Sequence, residues 1–343
     1  MNNKQKYGQF YTTNYEYILT GIKIPNNANN FIEPFAGNCD LVKFIENSDA
    51  QIDCYDIEPK NNNIIQRDTL LFPPDYKGKY VITNPPYLAR NKNSDKTIYD
   101  KYNQNDLYKC FIEELIANTC DGGILIIPLN FWCSIRKNDA KLRQRFLQVY
   151  TINQINIFEE RVFDDTSYAI CSFQFENNAG SGIDKKIPCT IFPNKNNISI
   201  TFNENNNFLI GGEIYSLPQN NNFIIARLTS QNINDGYATN LVVKCIDNNM
   251  NSKICMKYVD DISQYVDNTN NLSCRAYAAL EITPKISKAK EKKLAILFNK
   301  FLDAKRKKYN SMFLTNYRES NSIARKRISF QLVFKIVNYL LQK

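Results

Sequence analysis

Short apolar runs alternate with helix-spaced apolar positions through the first half of the chain. The runs fall at 31–33, 52–56, 80–83, 124–127, 152–157 and 169–175. Apolar stretches of this length, bounded by turn-forming residues, predict buried strands. The intervening segments predict helices at 40–47, 106–117 and 138–147, and in the second of these Leu107, Phe111, Ile112 and Leu115 fall on one face. Strands that alternate with helices predict an α/β fold with a mostly parallel sheet, each strand followed by a crossover.

After Glu176 the character changes to Asn-rich loops and short β-like stretches, such as Thr190-Ile191-Phe192 and 198–202. This places a domain boundary near 177–182. The tail returns to helix, with Leu294, Leu297, Phe298, Phe301 and Leu302, and later Leu332, Val333, Ile336, Val337 and Leu340, at helical spacing. Those stripes read as packing surfaces. The expected organisation is a first domain over 1–176, a second over 177–284 containing β structure, and a basic helical segment over 285–343.

Composition changes this picture in three ways. The start of the chain is polar and no run of about 18 apolar residues occurs, so neither a secretory signal nor a membrane span is expected and a cytoplasmic location follows. The ten cysteines form no Cys-x-x-Cys pair, which predicts reduced, mostly buried thiols. Histidine is absent, which removes the usual general base and the commonest zinc ligand, so chemistry without imidazole and without a metal is expected.

Charge is unevenly placed. Residues 281–343 hold 16 Lys+Arg against 4 Asp+Glu, whereas 1–280 hold 27 against 30. A basic excess of this kind suits a polyanion. Lys305, Arg306, Lys307 and Lys308, with Arg325, Lys326 and Arg327, are the candidate phosphate contacts.

The candidate chemistry centres on Thr83-Asn84-Pro85-Pro86-Tyr87, directly after the apolar run 80–82. In a parallel α/β sheet this is the carboxyl end of a strand, where ligands bind. Two prolines fix the backbone and lack N–H groups, so the turn presents carbonyl acceptors, to which the Asn84 amide adds one more. An aromatic amine is a poor nucleophile because its lone pair is delocalised into the ring. Asn84 Oδ1 and the Pro85 carbonyl, holding its two hydrogens, would favour a tetrahedral nitrogen, while Tyr87 offers a face for a planar base. Upstream, Glu33-Pro34-Phe35-Ala36-Gly37 reads as strand end and tight turn, with Gly37 permitting close approach of a ligand. The pattern is not the dinucleotide Gly-x-Gly-x-x-Gly, so a nucleoside without phosphates fits better. Asp56, which closes the next run, can accept ribose hydroxyls. Asp68 can accept from an adenine amino group, and Ile57 and Thr69 adjoin the two acids.

These residues together resemble the amino-methylating DNA methyltransferases, specifically the adenine-N6 group. The signature turn of that group, Asp/Asn-Pro-Pro-Tyr/Phe, matches Asn84 to Tyr87, and its glycine turn matches Glu33 to Gly37, although only one glycine is present. In the gamma arrangement a further cofactor segment precedes the glycine turn, where Tyr7-Gly8-Gln9-Phe10-Tyr11-Thr12-Thr13 lies; Tyr7, Gln9 and Thr12 are its candidates. The resemblance also implies a second aromatic against a flipped-out base, for which Phe163 in Arg161-Val162-Phe163-Asp164-Asp165 is the match. It covers about residues 6–176. It implies a Rossmann-like sheet with a C-terminal target-recognition region, S-adenosylmethionine as cofactor, double-stranded DNA as partner, and a cognate restriction endonuclease as a further partner. Rival readings are cytosine-N4 methylation, whose group usually has Ser in place of Asn84, methylation of RNA or of protein glutamine, and a non-catalytic nucleic-acid-binding protein. Pro188-Cys189 superficially matches the nucleophile of cytosine-C5 enzymes, but it lies outside the catalytic region and reads as a buried thiol.

Overall fold

The computed structural model describes residues 8–45, 49–163, 168–178, 184–247, 253–266, 276–316 and 326–343. The chain divides into two compact units, Met1–Asn203 and Glu204–Lys343.

The first unit is built on a nine-stranded sheet. In chain order its strands are β1 (Asn30–Glu33), β2 (Gln51–Asp56), β3 (Ile65–Gln66), β4 (Tyr80–Thr83), β5 (Gly122–Pro128), β6 (Tyr150–Phe158), β7 (Ile170–Asn177), β8 (Ile187–Phe192) and β9 (Asn196–Ile200), arranged β3-β2-β1-β4-β5-β7-β6-β8-β9. The half from β3 to β5 is parallel. β7 then inserts antiparallel between β5 and β6. The expected crossover after every strand therefore fails at one place: β6 and β7 pair directly with each other. The sheet is mixed, and its α/β class is the expected one.

The helices of this unit are α1 (Tyr15–Ile18), α2 (Thr97–Tyr102), α3 (Leu107–Ala117), α4 (Asn130–Cys133) and α5 (Lys137–Val149). The expected helix at 40–47 is only a 3-10 turn at Leu41–Phe44 within the described residues. β4 and β5 are buried along their whole length, as strands covered on both faces must be. The core beside them is aromatic: Trp132 stacks on Phe202 at 4.5 Å and meets the edges of Phe131 and Phe173. Such pairs each contribute about 0.5–1.5 kcal/mol beyond area burial.

The boundary expected at 177–182 falls inside this unit. β8 runs parallel to β6 and β9 antiparallel to β8, so the stretches at 190–192 and 198–202, assigned from sequence to a second domain, extend the first sheet instead. Alternating buried positions Ile187, Cys189 and Ile191 give β8 a reason to dock there.

In the second unit, β10 (Ile224–Arg227), β11 (Ala238–Lys244), β13 (Cys255–Tyr258) and β14 (Tyr277–Thr283) form an antiparallel sheet ordered β10-β14-β11-β13, while β12 (Ile246–Asp247), β15 (Thr315–Asn316) and β16 (Lys326–Arg327) form a small second one. Two helices complete it, α6 (Lys288–Tyr309) and α7 (Phe330–Leu340). Each opens on a serine, Ser287 or Ser329, whose Oγ accepts from a backbone N–H of the first turn. The predicted stripes pack: Leu294, Phe298 and Leu302 of α6 and all five apolar positions of α7 are buried, with Leu297 and Phe301 half-buried. The segment 285–343 is thus integral to this unit.

Among the described residues no helix is long and apolar enough to cross a membrane. The nine described cysteines are free thiols, seven of them buried.

Candidate active site

β2, β1 and β4 are neighbours and parallel, so their carboxyl ends, at Asp56, Glu33 and Thr83, lie along one edge of the sheet. The turns that follow these ends carry most of the residues singled out from sequence.

The first turn is shaped by Gly37. Its φ is +54°, and a Cβ there would stand 3.0 Å from the Tyr11 ring, so a side chain would be both strained and crowded. Its N–H donates to Asp56 Oδ2 at 2.8 Å. Asp56 Oδ1 accepts from Glu58 N–H at 2.8 Å and from Gln9 Nε2 at 3.4 Å. The acid expected to hold a ribose thus also ties β2 to the glycine turn and to the N-terminal segment. Asp68 Oδ1 accepts from Leu70 and Leu71 N–H. Thr69 is buried and donates to the Pro34 carbonyl at 2.9 Å, so its hydroxyl braces the turn.

A cavity of about 340 Å³ opens against these turns and is lined by Gln9, Phe35, Gly37, Asp56, Ile57, Asp68, Thr69, Asn84 and Pro86. Its volume suits a nucleoside-sized ligand. Asn93, Ser94, Asp95, Ile98 and Leu107 also line it, and sequence reasoning missed them. Their polar loop is indistinguishable in composition from the Asn-rich loops elsewhere. A narrow recess beside the cavity is bordered by Thr12, Glu33, Ala36, Gly37, Asp40 and Asn84.

Glu33 is 3% exposed, and its Oε2 has no hydrogen-bond partner among the described residues. Burial, reinforced by the nearby Asp40 and Asp56 carboxylates, holds its carboxyl well above the ordinary range and so favours its neutral form. Glu33, Cys39 and Cys54 bring an oxygen and two sulfurs within 4.8 Å of one another. Burial raises both thiols above their ordinary value.

The Asn84 amide is clamped. Its Nδ2 donates to the Phe10 carbonyl at 2.8 Å and to Thr12 Oγ1 at 3.0 Å, which fixes the direction of Oδ1. The N-terminal segment reaches the turn a second way, through Tyr87 N–H donating to the Gly8 carbonyl at 3.0 Å. A Cβ on Gly8 would come within 2.8 Å of the Tyr87 carbonyl oxygen, so only glycine allows this approach. The Tyr87 hydroxyl is within hydrogen-bond reach of both Asn84 Oδ1 and the Ile126 carbonyl. One proton serves only one of them at a time.

Tyr87 is 3% exposed, and the ring face expected to receive a base carries Phe10 instead, with centroids 5.2 Å apart and planes at 29°. Phe10 also stacks with Phe163 at 6.2 Å and 27°. The two aromatics assigned to a base from sequence are therefore linked by a third that sequence reasoning passed over. Tyr7, Arg325 and the stretch 164–167 after Phe163 lie outside the described residues.

The basic clusters of the tail are less available than expected. Lys305 pairs with Glu213 at 3.0 Å, and Arg306 pairs with Asp303 and donates to the Ile254 carbonyl at 2.8 Å. Lys326 is 6% exposed, and Arg327 lies over the Phe330 ring at 5.8 Å. Lys308 is exposed, 3.7 Å from Glu213, and Lys307 is exposed. Cys189 is buried in β8 with its thiol raised by burial, the opposite of an activated nucleophile.

Residues 10–163 match the sequence profile of the Eco57I restriction-modification methylase family. No curated protein matches the chain. Among solved structures it is similar to a modification subunit of a putative type I restriction enzyme from Vibrio vulnificus YJ016, at 15% identity over 55% of this chain and 48% of that one, with a TM-score of 0.43. It is also similar to a type I restriction-modification methyltransferase subunit from Streptococcus thermophilus, at 13% identity over 54% and 48% of the two chains, TM-score 0.40. A third is a putative class I S-adenosylmethionine-dependent methyltransferase from Listeria monocytogenes, at 14% identity over 52% and 61%, TM-score 0.37. The matched part of this chain corresponds to about half the length of the first of these.

Proposed function

We propose, with residues 10–163 a restriction-modification methylase domain as the premise, that the chain transfers a methyl group from S-adenosylmethionine to the N6 amine of an adenine flipped out of duplex DNA. The observation that carries this reading is the clamped Asn84 amide at the end of β4, beside both the cavity and Tyr87. Asp56, Ile57 and Asp68 would hold the nucleoside half of the cofactor. Glu33, Thr12 and the Gly37 turn would hold the amino-acid half in the narrow recess. When bound there, S-adenosylmethionine supplies an electrophilic methyl group on a sulfonium.

The chain's own task is alignment and polarisation. Asn84 Oδ1 and the Pro85 carbonyl accept the two amine hydrogens, and the Thr12 and Phe10 contacts keep Oδ1 from rotating away. No imidazole is needed, because the nitrogen becomes strongly acidic as it gains positive charge, and its proton would then pass to water beside the Asn84 and Pro85 acceptors. Proximity and preorganised acceptors supply the rate.

Two consequences can be measured. Burial favours the neutral form of the Glu33 carboxyl in the free protein, whereas a positively charged cofactor favours its carboxylate. Cofactor binding should therefore be accompanied by proton release and should tighten as pH rises above the ordinary carboxyl value. Calorimetry in buffers of different ionisation enthalpy reads this directly; proton-neutral, pH-independent binding would remove Glu33 from the cofactor site. The second consequence concerns Phe10, which must leave the face of Tyr87 before a base can stack there. That ring pair is worth about 0.5–1.5 kcal/mol, so Phe10→Leu should lower the KM for DNA about 2–10-fold. An unchanged KM would mean that the ring does not stand in the base's way.

The reading itself is tested by transfer of labelled methyl to unmethylated duplex DNA followed by nucleoside mass analysis. N6-methyladenine supports it. N4-methylcytosine moves the substrate to cytosine, and label in RNA or protein alone overturns the DNA assignment.

A further inference from the structure

The second unit carries 21 Lys+Arg against 11 Asp+Glu, whereas the first carries 22 against 23. Of the clusters at 305–308 and 325–327, Lys305, Arg306, Lys326 and Arg327 are engaged within the unit or buried, while Lys307 is exposed. Of eleven exposed residues on α6, seven are lysines and one is an acid, Asp303, which pairs with Arg306. Lys290, Lys292 and Lys308 lean over the Phe223, Tyr258 and Tyr309 rings. The other four, Lys288, Lys293, Lys300 and Lys307, fall within about 140° of arc at 100° per residue, with the exposed Ile296 and Asp303 among them.

Lys293, Lys300 and Lys307 repeat at seven-residue intervals, which sets them in a line with about 10.5 Å between neighbours. From Lys288 to Lys307 the face runs about 28 Å, the axial length of about eight base pairs at 3.4 Å each.

An ordinary solvated helix face interleaves acids at i,i+4 and gains a few tenths of a kcal/mol from each pair. The start of this face does the reverse, whereas Asp303 near its end lies four residues before Lys307 and pairs with Arg306. Lys288 and Lys292 are an i,i+4 like-charge pair, and four exposed lysines crowd the first two turns, where the helix dipole already disfavours cations. The acid of that region, Glu291, is buried and accepts from the Asn240 N–H. The self-repulsion is relieved when a polyanion covers the face.

We infer that the solvent face of α6 docks against the phosphate backbone of duplex DNA, an assignment that rests on the DNA-methylating reading above. The contact is sequence-independent, so it holds the duplex while other parts of the protein read bases.

The test uses the full chain and a 30-base-pair duplex of arbitrary sequence, with affinity measured across a salt series. The K293Q/K300Q/K307Q variant removes three charges while keeping good helix formers. Its slope of log affinity against log salt should be shallower than that of the unsubstituted protein by about 2–3, at 0.9 per lost phosphate contact, with affinity at low salt down at least about tenfold. The control K77Q/K137Q/K141Q removes three exposed lysines of the first unit and should change the slope by less than one-third as much. Cofactor binding should be intact in both. Equal slopes for the lysine-face variant and the unsubstituted protein overturn the surface assignment alone. No duplex binding by the unsubstituted protein overturns the DNA reading as well, and a defect seen only with single-stranded RNA reassigns the face to RNA.

Discussion

Asn84→Ala is expected to lower the turnover of methyl transfer about 10²–10³-fold, the loss typical when one preorganised polar group is taken from a developing charge. Alanine removes the side-chain acceptor at the end of β4, leaving only backbone carbonyls to localise the lone pair of the amine. It also strips a donor from the Phe10 carbonyl and from Thr12 Oγ1, and leaves the Tyr87 hydroxyl with Ile126 as its acceptor. Those losses affect the fold as well as the reaction, so a second substitution separates them. Asn84→Asp keeps an acceptor at the same position and forfeits the two donated bonds. It should retain more turnover than alanine while sharing its loss of thermal stability. Single-turnover methyl transfer with cofactor affinity measured alongside decides the matter: full turnover by the alanine variant would remove Asn84 from the chemistry, and equal loss by both variants would make its role structural.

The parts of the site legible in the sequence were those fixed by local geometry. A strand end followed by Asn-Pro-Pro-Tyr, a lone glycine in a tight turn, and acids at successive strand ends all lie within a few residues of the backbone features that place them. In the structure Asn84, Gly37, Asp56 and Asp68 gather around one cavity. What stayed hidden depends on contacts between distant segments. Phe10 stacks on Tyr87 across 77 positions of sequence, and the stretch 93–98 becomes a wall only because α2 and α3 bring it back over the sheet edge. The strands at 187–200 read as a separate domain because Asn-rich loops precede them, yet their alternating buried residues find the open edge of β6. The basic tail misled for the same reason. Charge is countable in sequence, but only packing shows that Lys305 and Arg306 turn to partners within their own unit while Lys293 and Lys300 face water.

The largest stability effect should come from a buried charge network beside the site. Lys109 on α3 pairs with Asp139 on α5 at 2.6 Å, with the two side chains 7% and 4% exposed. Ser134 Oγ donates to the other carboxylate oxygen, and Lys109 also donates to Asn105 Oδ1. The fully buried Arg143 donates to the Phe131 and Ser134 carbonyls, and burial lowers its pKa to about 10. Burial alone would raise the Asp139 carboxyl, but Lys109, Ser134 and Arg143 together hold it below its ordinary value. Asp139→Ala leaves the Lys109 ammonium buried without a counter-charge, which costs about 3–5 kcal/mol. In a unit of this size that corresponds to a fall in Tm of roughly 6–20 °C. Because the native pKa of Asp139 is depressed, its stabilisation is fully present above the ordinary aspartate value and disappears as pH falls through the native one. The variant and the unsubstituted protein should therefore converge in stability as pH falls through the depressed native value and stand fully apart above about pH 4. The network reaches the site through α3, whose first residue, Leu107, lines the cavity and whose Tyr108 meets the edge of Tyr87. Replacing both partners, as in K109M/D139L, removes the two charges together and should restore most of the loss. Thermal unfolding of the single and double variants across pH 3–8 tests the argument, and an equally unstable double variant would show that packing, rather than the unpaired charge, sets the cost.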